Sequence, residues 1–409
     1  MSDHHDDVNL FDPEVEQHWY PTYDQLRAEC PVYKMPESGI YFLTKFGDVQ
    51  YALRHPELFP NGRGTNSLLK TEQARSYWDK HGFRKQTPLG TNPPEHRAYR
   101  ELIDHFFDAR GTQTVRPMIE DTVERLLDTW RGRTDIDFVR DFAEPLPVEI
   151  ITRMLGFPVS DIPQLRVWSS AWVMPFRMNL TPDEEMYVAE QGVAFQRYIH
   201  EIANERRVSP TDDVISHLAH ARLGDERLLE DWEIINIVDH LYIGGNETTT
   251  FALTSGIWLM LSRPTVEARL RADQTLVTEF VEEVLRLESP TQGLFRTAAR
   301  DIELSGVEIP AGATVHLRYG AANRDPAMFE CPAEVDLDRA NKRRHVAFAT
   351  GEHQCPGADL SRVEQVVALT AILRRFSALK LSDRNDYRWQ SGFVLHALKE
   401  LHLEVPAGT

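Results

Sequence analysis

The stretch FATGEHQCPG at residues 348–357 constrains the chain most, because it presents a single cysteine from a loop. Gly351 and Gly357 flank Cys355, so the backbone can turn tightly there and approach a flat ligand closely. Apolar residues recur at helical spacing after the loop, and amides at the start of that predicted helix would stabilise a thiolate. A thiolate held in this way suits a metal ligand, although a lone cysteine is more often a small buried apolar residue.

A second unusual pattern lies inside a predicted helix that runs from about Asp231 to Leu261. Gly244 and Gly245 are adjacent, and each glycine costs about 1 kcal/mol relative to alanine in a helix interior. This cost indicates either a local opening of the helix where its backbone meets a ligand, or close packing against a neighbouring helix. The carboxyl group of Glu247 and the hydroxyl group of Thr248 follow directly.

Two pairs of charged residues are spaced to share one face of a helix. His96 and Arg100 are four residues apart after a proline-rich helix start, and Glu283 and Arg286 are three apart. Taken alone, the first pair predicts an exposed polar face and the second predicts a solvated ion pair.

Together these motifs resemble those of the cytochrome P450 family. The cysteine stretch matches the family's haem-binding loop, Phe-x-x-Gly-x-(His or Arg)-x-Cys-x-Gly, and residues 244–248 match its oxygen-activation segment. The family often has a second glycine directly after the phenylalanine, where this chain has Ala349. The resemblance, which spans residues 20–409, implies a mainly α fold with a minor β region. Haem b would lie between the long central helix and the cysteine loop.

The resemblance also implies roles for individual residues. Cys355 would be the iron ligand that donates electron density to the haem. Glu247 would relay protons from solvent and Thr248 would hydrogen-bond dioxygen, since proton delivery lets the O–O bond break heterolytically. Four residues would hold the haem propionates: His96, Arg100, Arg296 and His353. The further cofactor contacts would be Gly244, Gly245, Phe348 and Gly357.

A third implied group is structural. Glu283, Arg286 and Arg339 would form a charged network behind the haem and take no part in catalysis, because their order and spacing match the family.

The implied activity is that of a monooxygenase that inserts one oxygen atom from O2 into a small or medium apolar substrate, by hydroxylation or oxidative demethylation. No flavin or iron–sulfur domain is recognisable, so electrons are expected from a separate ferredoxin or flavodoxin with its NAD(P)H reductase, as in soluble bacterial members. The basic run at residues 342–344 is either a docking patch for that partner or a solvated charge cluster. A peroxide-driven peroxygenase and a non-catalytic haem-binding sensor are the alternatives.

Composition narrows the class of protein further. No Pro-, Gly- or Ser-rich linker divides the sequence, which predicts one domain over residues 1–409 with a loose segment at residues 1–19. The net charge of −18 argues against nucleic-acid binding. Three widely spaced cysteines predict neither a disulfide framework nor a zinc site, and they fit a reducing cytoplasm.

The sequence predicts neither a signal peptide nor a membrane anchor. The first residues are polar and acidic, without a basic and then apolar pattern. The apolar run at residues 241–261 contains Asn246 and Glu247, so it predicts a buried core helix and not a membrane span.

Three segments carry predictions about local secondary structure. Residues 32–35 and 40–44 predict a β-hairpin with a turn at residues 37–39. Residues 61–85 have weak periodicity and predict a long loop region, which is where binding sites often lie.

Three further features bear on the substrate. The aromatic patch at residues 168–176 predicts either ordinary core or the lining of an apolar cavity. Residues 391–395 predict either a turn towards the substrate or apolar packing. Arg177 is expected at the surface, with pairing to a substrate carboxylate as the alternative.

Overall fold

A computed structural model describes residues 8–36, 38–62, 69–177, 179–224, 226–390 and 392–406 of the chain. Helices dominate and strands are a minor part, which confirms the predicted fold class. The sixteen α-helices of these residues are α1 (Pro13–Gln17), α2 (Trp19–Glu29), α3 (Phe46–Arg54), α4 (Glu72–His81), α5 (Glu95–Glu101), α6 (Asp104–Phe107), α7 (Ala109–Asp128), α8 (Pro145–Leu155), α9 (Ile162–Val173), α10 (Pro182–Val208), α11 (Val214–His220), α12 (Asp231–Leu261), α13 (Pro264–Ala272), α14 (Val277–Glu288), α15 (Tyr319–Ala322) and α16 (Ala358–Arg375).

The strands form one four-stranded sheet and three smaller pairings. The eleven strands of the described residues are β1 (Val32–Lys34), β2 (Tyr41–Leu43), β3 (Asp135–Asp137), β4 (Arg222–Leu223), β5 (Arg227–Leu228), β6 (Gly293–Thr297), β7 (Ile302–Leu304), β8 (Val307–Ile309), β9 (Thr314–Arg318), β10 (Lys380–Leu381) and β11 (His402–Glu404). The largest sheet has the order β1-β2-β9-β6, with β2 and β9 parallel and the other pairs antiparallel. A second sheet has the order β10-β11-β3.

The predicted hairpin is confirmed. Strands β1 and β2 pair antiparallel, with Val32 opposite Leu43. In the turn, Gly39 has a φ of +69°, which glycine adopts without strain. Residue 37 of the predicted turn lies outside the described residues.

The long helix α12 begins and ends at the predicted residues. Its first turn is fixed by a capping box in which the Glu233 side chain accepts a hydrogen bond from the backbone N–H of Glu230, at 2.6 Å. Nearly all of its faces are buried because it packs against α8, α10 and α16. None of the helices in the described ranges is long and apolar enough to cross a bilayer.

Helix α16 joins the cysteine loop to the core. It begins directly after Gly357, as the apolar spacing predicts, and packs against α7, α12 and α14. The Thr249 hydroxyl donates to the Ser361 hydroxyl across 3.1 Å, so the first turn of α16 is fixed to the centre of α12. The two predicted functional segments are therefore held next to each other by direct contact.

The expectation of a loose segment at residues 1–19 is wrong for residues 8–19. Leu10 and Trp19 are 0% and 2% exposed, and residues 13–17 form α1. The ring of Phe11 packs edge-on against that of Phe393, with centroids 4.5 Å apart. The apolar contacts come from distant parts of the chain, so local composition does not reveal them. Residues 1–7 lie outside the described residues.

The loop predicted over residues 61–85 contains helix α4. Only Ala74 and Trp78 are buried on this helix, which explains the weak periodicity. Trp78 packs on α10 at Gly192, where an added Cβ would lie 2.3 Å from the indole ring. Residues 63–68 of the same segment lie outside the described residues.

Candidate active site

The cysteine loop is held in shape by its own backbone. The N–H of Cys355 donates to the carbonyl of Phe348 across 2.9 Å. Gly351 has a φ of +77°, and a Cβ there would lie 2.8 Å from the carbonyl oxygen of Leu53, so this position requires glycine. Ala349, which stands where the family often has glycine, also adopts a left-handed φ of +56°.

Two opposing effects act on the pKa of the Cys355 thiol. Burial among protein atoms raises the pKa of the thiol, whereas a backbone hydrogen bond from Gly357 and the charges of Arg100 and Arg362 act in the opposite direction. The residue nevertheless has accessible surface and, like the other two cysteines, is free. A metal cation bound to the sulfur would offset the free-energy cost of the charged thiolate in this buried environment.

Three predicted propionate ligands surround this loop. The imidazole rings of His96 and His353 have centroids 4.1 Å apart, and Arg100 donates to the carbonyl of Gln354 across 2.8 Å. Asn61, which the sequence did not single out, lies with its amide nitrogen 3.2 Å from Nε2 of His353. The structure thus brings residues from α5, from the segment that follows α3 and from the cysteine loop to one place.

Several positive charges lie close to His353 in this group. His353 has its pKa lowered to about 3, first by burial and then by the positive charges of His96, Arg296 and Arg100. Among the residues that the structure describes, two carboxylates bond to the group: Glu352 lies 3.0 Å from His96, and Asp104 lies 2.6 Å from Arg100. An anionic ligand would relieve this repulsion.

The fourth predicted propionate ligand, Arg296, belongs to strand β6. It is 5% exposed, and one of its guanidinium nitrogens donates to the carbonyl of Phe295 across 2.8 Å. Its charge acts on both His353 and Tyr319, which places it beside the same group of cations.

Gly244 and Gly245 have different surroundings. Helix α12 is continuous through both, so the expected local opening is wrong. A Cβ on Gly245 would lie 2.8 Å from Cγ1 of Ile151 on α8, which supports the packing interpretation for this residue. A Cβ on Gly244 would meet nothing within 4 Å, and the residue is exposed in an otherwise buried helix. Gly244 therefore borders open space.

Glu247 is an acid in a mostly apolar environment. Burial and the charge of Glu144 raise its pKa to about 7, against the opposing effects of a hydrogen bond from Ser169 and the charge of Arg166. Arg166 and Glu144 form an ion pair with each other nearer the surface. Ser169 on α9 is a site residue that the sequence analysis missed. No local pattern marks a buried serine that meets α12.

The neighbouring hydroxyl of Thr248 donates to the carbonyl of Gly244 across 2.9 Å, one turn earlier in α12. This back-bond leaves the lone pairs of the hydroxyl oxygen available to accept a hydrogen bond. Glu247 and Thr248 thus present an acid and a hydroxyl side by side next to the exposed Gly244.

A cavity borders Glu247, with a volume of roughly 420 Å³ when the open solvent at its mouth is included, and its walls are partly apolar and partly polar. The residues that line it decide between the interpretations given above for residues 168–176 and for residues 391–395. Trp168 stacks on Phe195 in the core, with centroids 5.2 Å apart, whereas later residues of the aromatic patch face the cavity. Phe393 and Val394 are buried, whereas Gly392 and Leu395 face the cavity, and residue 391 lies outside the described residues. The lining residues are Val173, Phe176, Arg177, Glu247, Phe251, Gln390, Gly392, Leu395 and Ala397.

The predicted charged network is confirmed as a buried cluster. The two carboxylate oxygens of Glu283 accept hydrogen bonds from Arg286 at 2.7 and 2.9 Å, and one also accepts from Arg339 at 3.1 Å. Glu283 and Arg286 are 0% exposed, so this is not the solvated pair that spacing alone suggests.

A second network that the sequence analysis missed lies next to the cysteine loop. His345 and Arg362 both bond to Glu282, at 3.0 and 2.7 Å. These bonds outweigh the effect of burial and lower the pKa of Glu282 to about 2. The guanidinium of Arg362 also lies 4.8 Å from the ring centroid of Phe348. The adjacent acids at positions 282 and 283 are the only sequence pattern that points to it.

The basic run is only partly available for docking. Lys342 is 8% exposed, because its amine bonds to Glu279 at 2.9 Å and to the carbonyl of Arg339. Arg343 and Arg344 are exposed. The interpretation of residues 342–344 as one surface patch is therefore wrong for its first member.

The residues present fit a haem. A cysteine thiol with accessible surface stands just before a helix, and the positive charges of Arg100 and Arg296 act together on His353 nearby, where they would stabilise propionates. Gly244 leaves room beside the helix that contacts the cysteine segment. When bound, the haem supplies one-electron and O2 chemistry.

Comparisons with known proteins agree with this geometry. The family model described as Cytochrome P450 matches residues 165–403. Cytochrome P450 107B1 of Saccharopolyspora erythraea is 32% identical over 97% of both chains, and the biotin biosynthesis cytochrome P450 of Bacillus subtilis is 33% identical over 93% of this chain and 95% of its own. The crystal structure of P450BioI, solved with an acyl carrier protein ligated to hexadec-9Z-enoic acid, has a TM-score of 0.87 and 30% identity over 96% of this chain and 99% of that one. The chain belongs to the cytochrome P450 family of monooxygenases, which bind haem b (iron protoporphyrin IX).

Proposed function

We propose that this chain inserts one oxygen atom from O2 into a small or medium apolar substrate, by hydroxylation or oxidative demethylation. The observation that carries this proposal is the pair formed by Glu247 and Thr248, of which Glu247 lines a cavity that also has the apolar walls of Val173, Phe176 and Phe251. The pair belongs to the helix that contacts the cysteine segment through Thr249 and Ser361. The substrate carbon and the proton donors would thus meet above the cofactor.

In this proposal Cys355 holds the haem iron, and the propionates lie among His96, Arg100, Arg296 and His353. The positive charges of Arg296 and Arg100, which act on His353 and help to lower its pKa, support the propionate assignment. Phe348, Gly244, Gly245 and Gly357 would contact the cofactor, with Gly245 limited to backbone contact because its Cα faces Ile151.

Protons would reach the oxygen site through Glu247. A carboxyl group with a pKa of about 7 can both give up and regain a proton near neutral pH, which is what a relay between solvent and a buried site requires. The ion pair of Arg166 and Glu144 lies on the solvent side of this acid and supports that direction of transfer. Thr248 would orient the proton by accepting or donating a hydrogen bond.

The proposed electron source is a separate ferredoxin or flavodoxin with its NAD(P)H reductase, and the proposed location is the cytoplasm. Exposed Arg343 and Arg344 would attract an acidic partner, since charge complementarity speeds encounter. The chain would work as one haem-thiolate domain over residues 1–409.

Reconstitution with NADH, a ferredoxin and its reductase tests the reaction. We expect product from a panel of apolar compounds, and less product from peroxide alone. Thr248→Ala should divert most of the NADH electrons to hydrogen peroxide. Thr254→Ala, which removes the same kind of back-bonded hydroxyl from the same helix, should not. Equal turnover with peroxide alone would indicate a peroxygenase, and binding without any turnover would indicate a sensor.

Ligation has its own test. The reduced protein with carbon monoxide should absorb at the long wavelength typical of thiolate-ligated haem, and Cys355→Ala should lose that band. Cys331→Ala, which removes an exposed free cysteine elsewhere, should keep it.

A further inference from the structure

Arg177 is a cation in the wall of the substrate cavity. It ends the short turn Met174–Arg177 after α9, and it lines the cavity together with the apolar side chains of Val173, Phe176 and Phe251. The residue is exposed, and its guanidinium makes no hydrogen bond or ion pair within the part of the chain that the structure describes. An arginine with five unused donors beside an apolar surface is prepared to bind an oxyanion.

The charges around Arg177 do not neutralise it. Its field lowers the pKa of Glu184, but the carboxylate of Glu184 lies beyond ion-pair distance and already accepts hydrogen bonds from the backbone and hydroxyl groups of Thr181. The charges that act on Glu247, which lines the same cavity, are those of Glu144 and Arg166. Arg177 is therefore not among the groups that shift the pKa of the proton-relay acid.

The net charge of the protein gives the Arg177 cation a role in selecting anionic substrates. A net charge of −18 repels anionic molecules in general, so an anionic substrate needs a specific positive group at the cavity. Gln390 lines the same cavity, and its side-chain amide can supply a further N–H donor. No second arginine or lysine is among the described lining residues, which limits the site to one anionic group.

We propose that Arg177 binds the carboxylate of an amphipathic substrate, whose apolar chain fills the cavity towards Glu247. This inference rests on the monooxygenase function proposed above and names its substrate class, an apolar molecule with a single terminal carboxylate. With the carboxylate at Arg177 and the chain directed towards Glu247, oxygen is inserted at a carbon away from the carboxylate.

Spectral titration of the holoenzyme tests the proposal with matched compounds of equal chain length. Dodecanoate, methyl dodecanoate, 1-dodecanol and dodecyl phosphate are compared by their displacement of the iron-bound water. The wild type should bind dodecanoate most tightly, and added salt should weaken that binding. Arg177→Gln should reduce the preference for dodecanoate over dodecanol by about 10- to 100-fold, and Arg177→Lys by less.

A control variant and three outcomes make the test decisive. Arg116→Gln removes an arginine on α7 that pairs with Glu120 away from the cavity, and it should leave the preference as in the wild type. An unchanged preference in Arg177→Gln would overturn the proposal, and so would tighter binding of dodecyl phosphate than of dodecanoate. Failure of the monooxygenase function looks different, because bound dodecanol and dodecanoate would then both remain unoxidised.

Discussion

The hydroxyl oxygen of Ser169 lies 3.3 Å from Oε1 of Glu247 and within hydrogen-bond distance of the Asn246 side chain. Ser169 is 2% exposed, and it belongs to α9, which crosses over the centre of α12. Its hydrogen bond favours the charged form of Glu247 and so opposes the rise in pKa that burial causes. One hydroxyl group thus contacts the proposed proton relay directly and limits the rise in its pKa that burial and Glu144 cause.

Removing this hydroxyl should change the pH dependence of catalysis. Glu247 is protonated below its pKa of about 7 and charged above it, so its ability to donate a proton declines as the pH rises through that value. Ser169→Ala removes a favourable bond to the charged form, so the pKa rises by about one unit. The midpoint at which coupling of NADH to product falls should move up by the same amount, as measured between pH 6 and 9.

Ser170 offers the matched control, because it is the next residue of α9 and is exposed. Ser170→Ala should have the wild-type midpoint, and Glu247→Gln should have no such transition. A wild-type midpoint in Ser169→Ala would show that the serine does not control the acid.

Sequence reasoning found the elements that are continuous in the chain. The bounds of α12 and the start of α16 follow from apolar periodicity, and the β1–β2 hairpin follows from its turn residues. Contacts between segments that are far apart in the sequence could not be predicted in this way. Ser169 meets Glu247 across 78 positions, and burial of Lys342 depends on Glu279 in another helix. The Glu283 network was found only through the family's spacing, because a Glu-x-x-Arg pattern carries no information about burial.

The two adjacent glycines should respond in opposite ways to alanine. Gly245→Ala places a methyl group 2.8 Å from Cγ1 of Ile151, so α8 and α12 must separate, and we expect a loss of about 1–3 kcal/mol in the free energy of unfolding. Gly244→Ala meets nothing within 4 Å and should gain up to about 1 kcal/mol from helix propensity. Urea denaturation of the haem-free protein measures both.

Shortening the residue that Gly245 touches supplies a rescue. The double variant Gly245→Ala/Ile151→Ala should be more stable than the sum of the two single changes predicts, since the cavity left by Ile151 admits the new methyl group. If the two changes in the free energy of unfolding simply add, the close contact with Ile151 is not the reason why this position requires glycine.

The cysteine loop should become more stable when Ala349 is replaced by glycine. A non-glycine residue in the left-handed region costs roughly 1–2 kcal/mol, and Ala349 has a φ of +56°. Part of this gain is lost to the greater freedom of glycine in the unfolded chain, so we expect a net gain of about 0.5–1 kcal/mol. Ala347 has no left-handed φ, so Ala347→Gly should lower stability. Equal effects of the two changes on the urea midpoint would contradict this account.

The buried cluster around Glu283 should be the most sensitive charged site of the chain. Glu283→Gln leaves the guanidinium groups of Arg286 and Arg339 without their shared counter-charge, and removing one partner of a buried ion pair costs about 3–5 kcal/mol. Burial alone would raise the pKa of Glu283, but the two arginines outweigh it and lower the pKa. The pairing is therefore complete above the ordinary glutamate pKa and is lost only as the pH falls through the lowered folded-state value.

The cluster also links this charge to the haem site. Arg286 donates to the carbonyls of Asn323 and Glu334, at 3.1 and 2.9 Å, and so fixes the segment that leads to the cysteine loop. Glu283→Gln should therefore release haem to apomyoglobin faster than the wild type, as well as unfold at lower urea concentration. Glu120→Gln breaks an exposed pair with Arg116 and should change stability by less than about 0.5 kcal/mol. Similar small losses in both variants would mean that the buried cluster contributes no more than a surface ion pair.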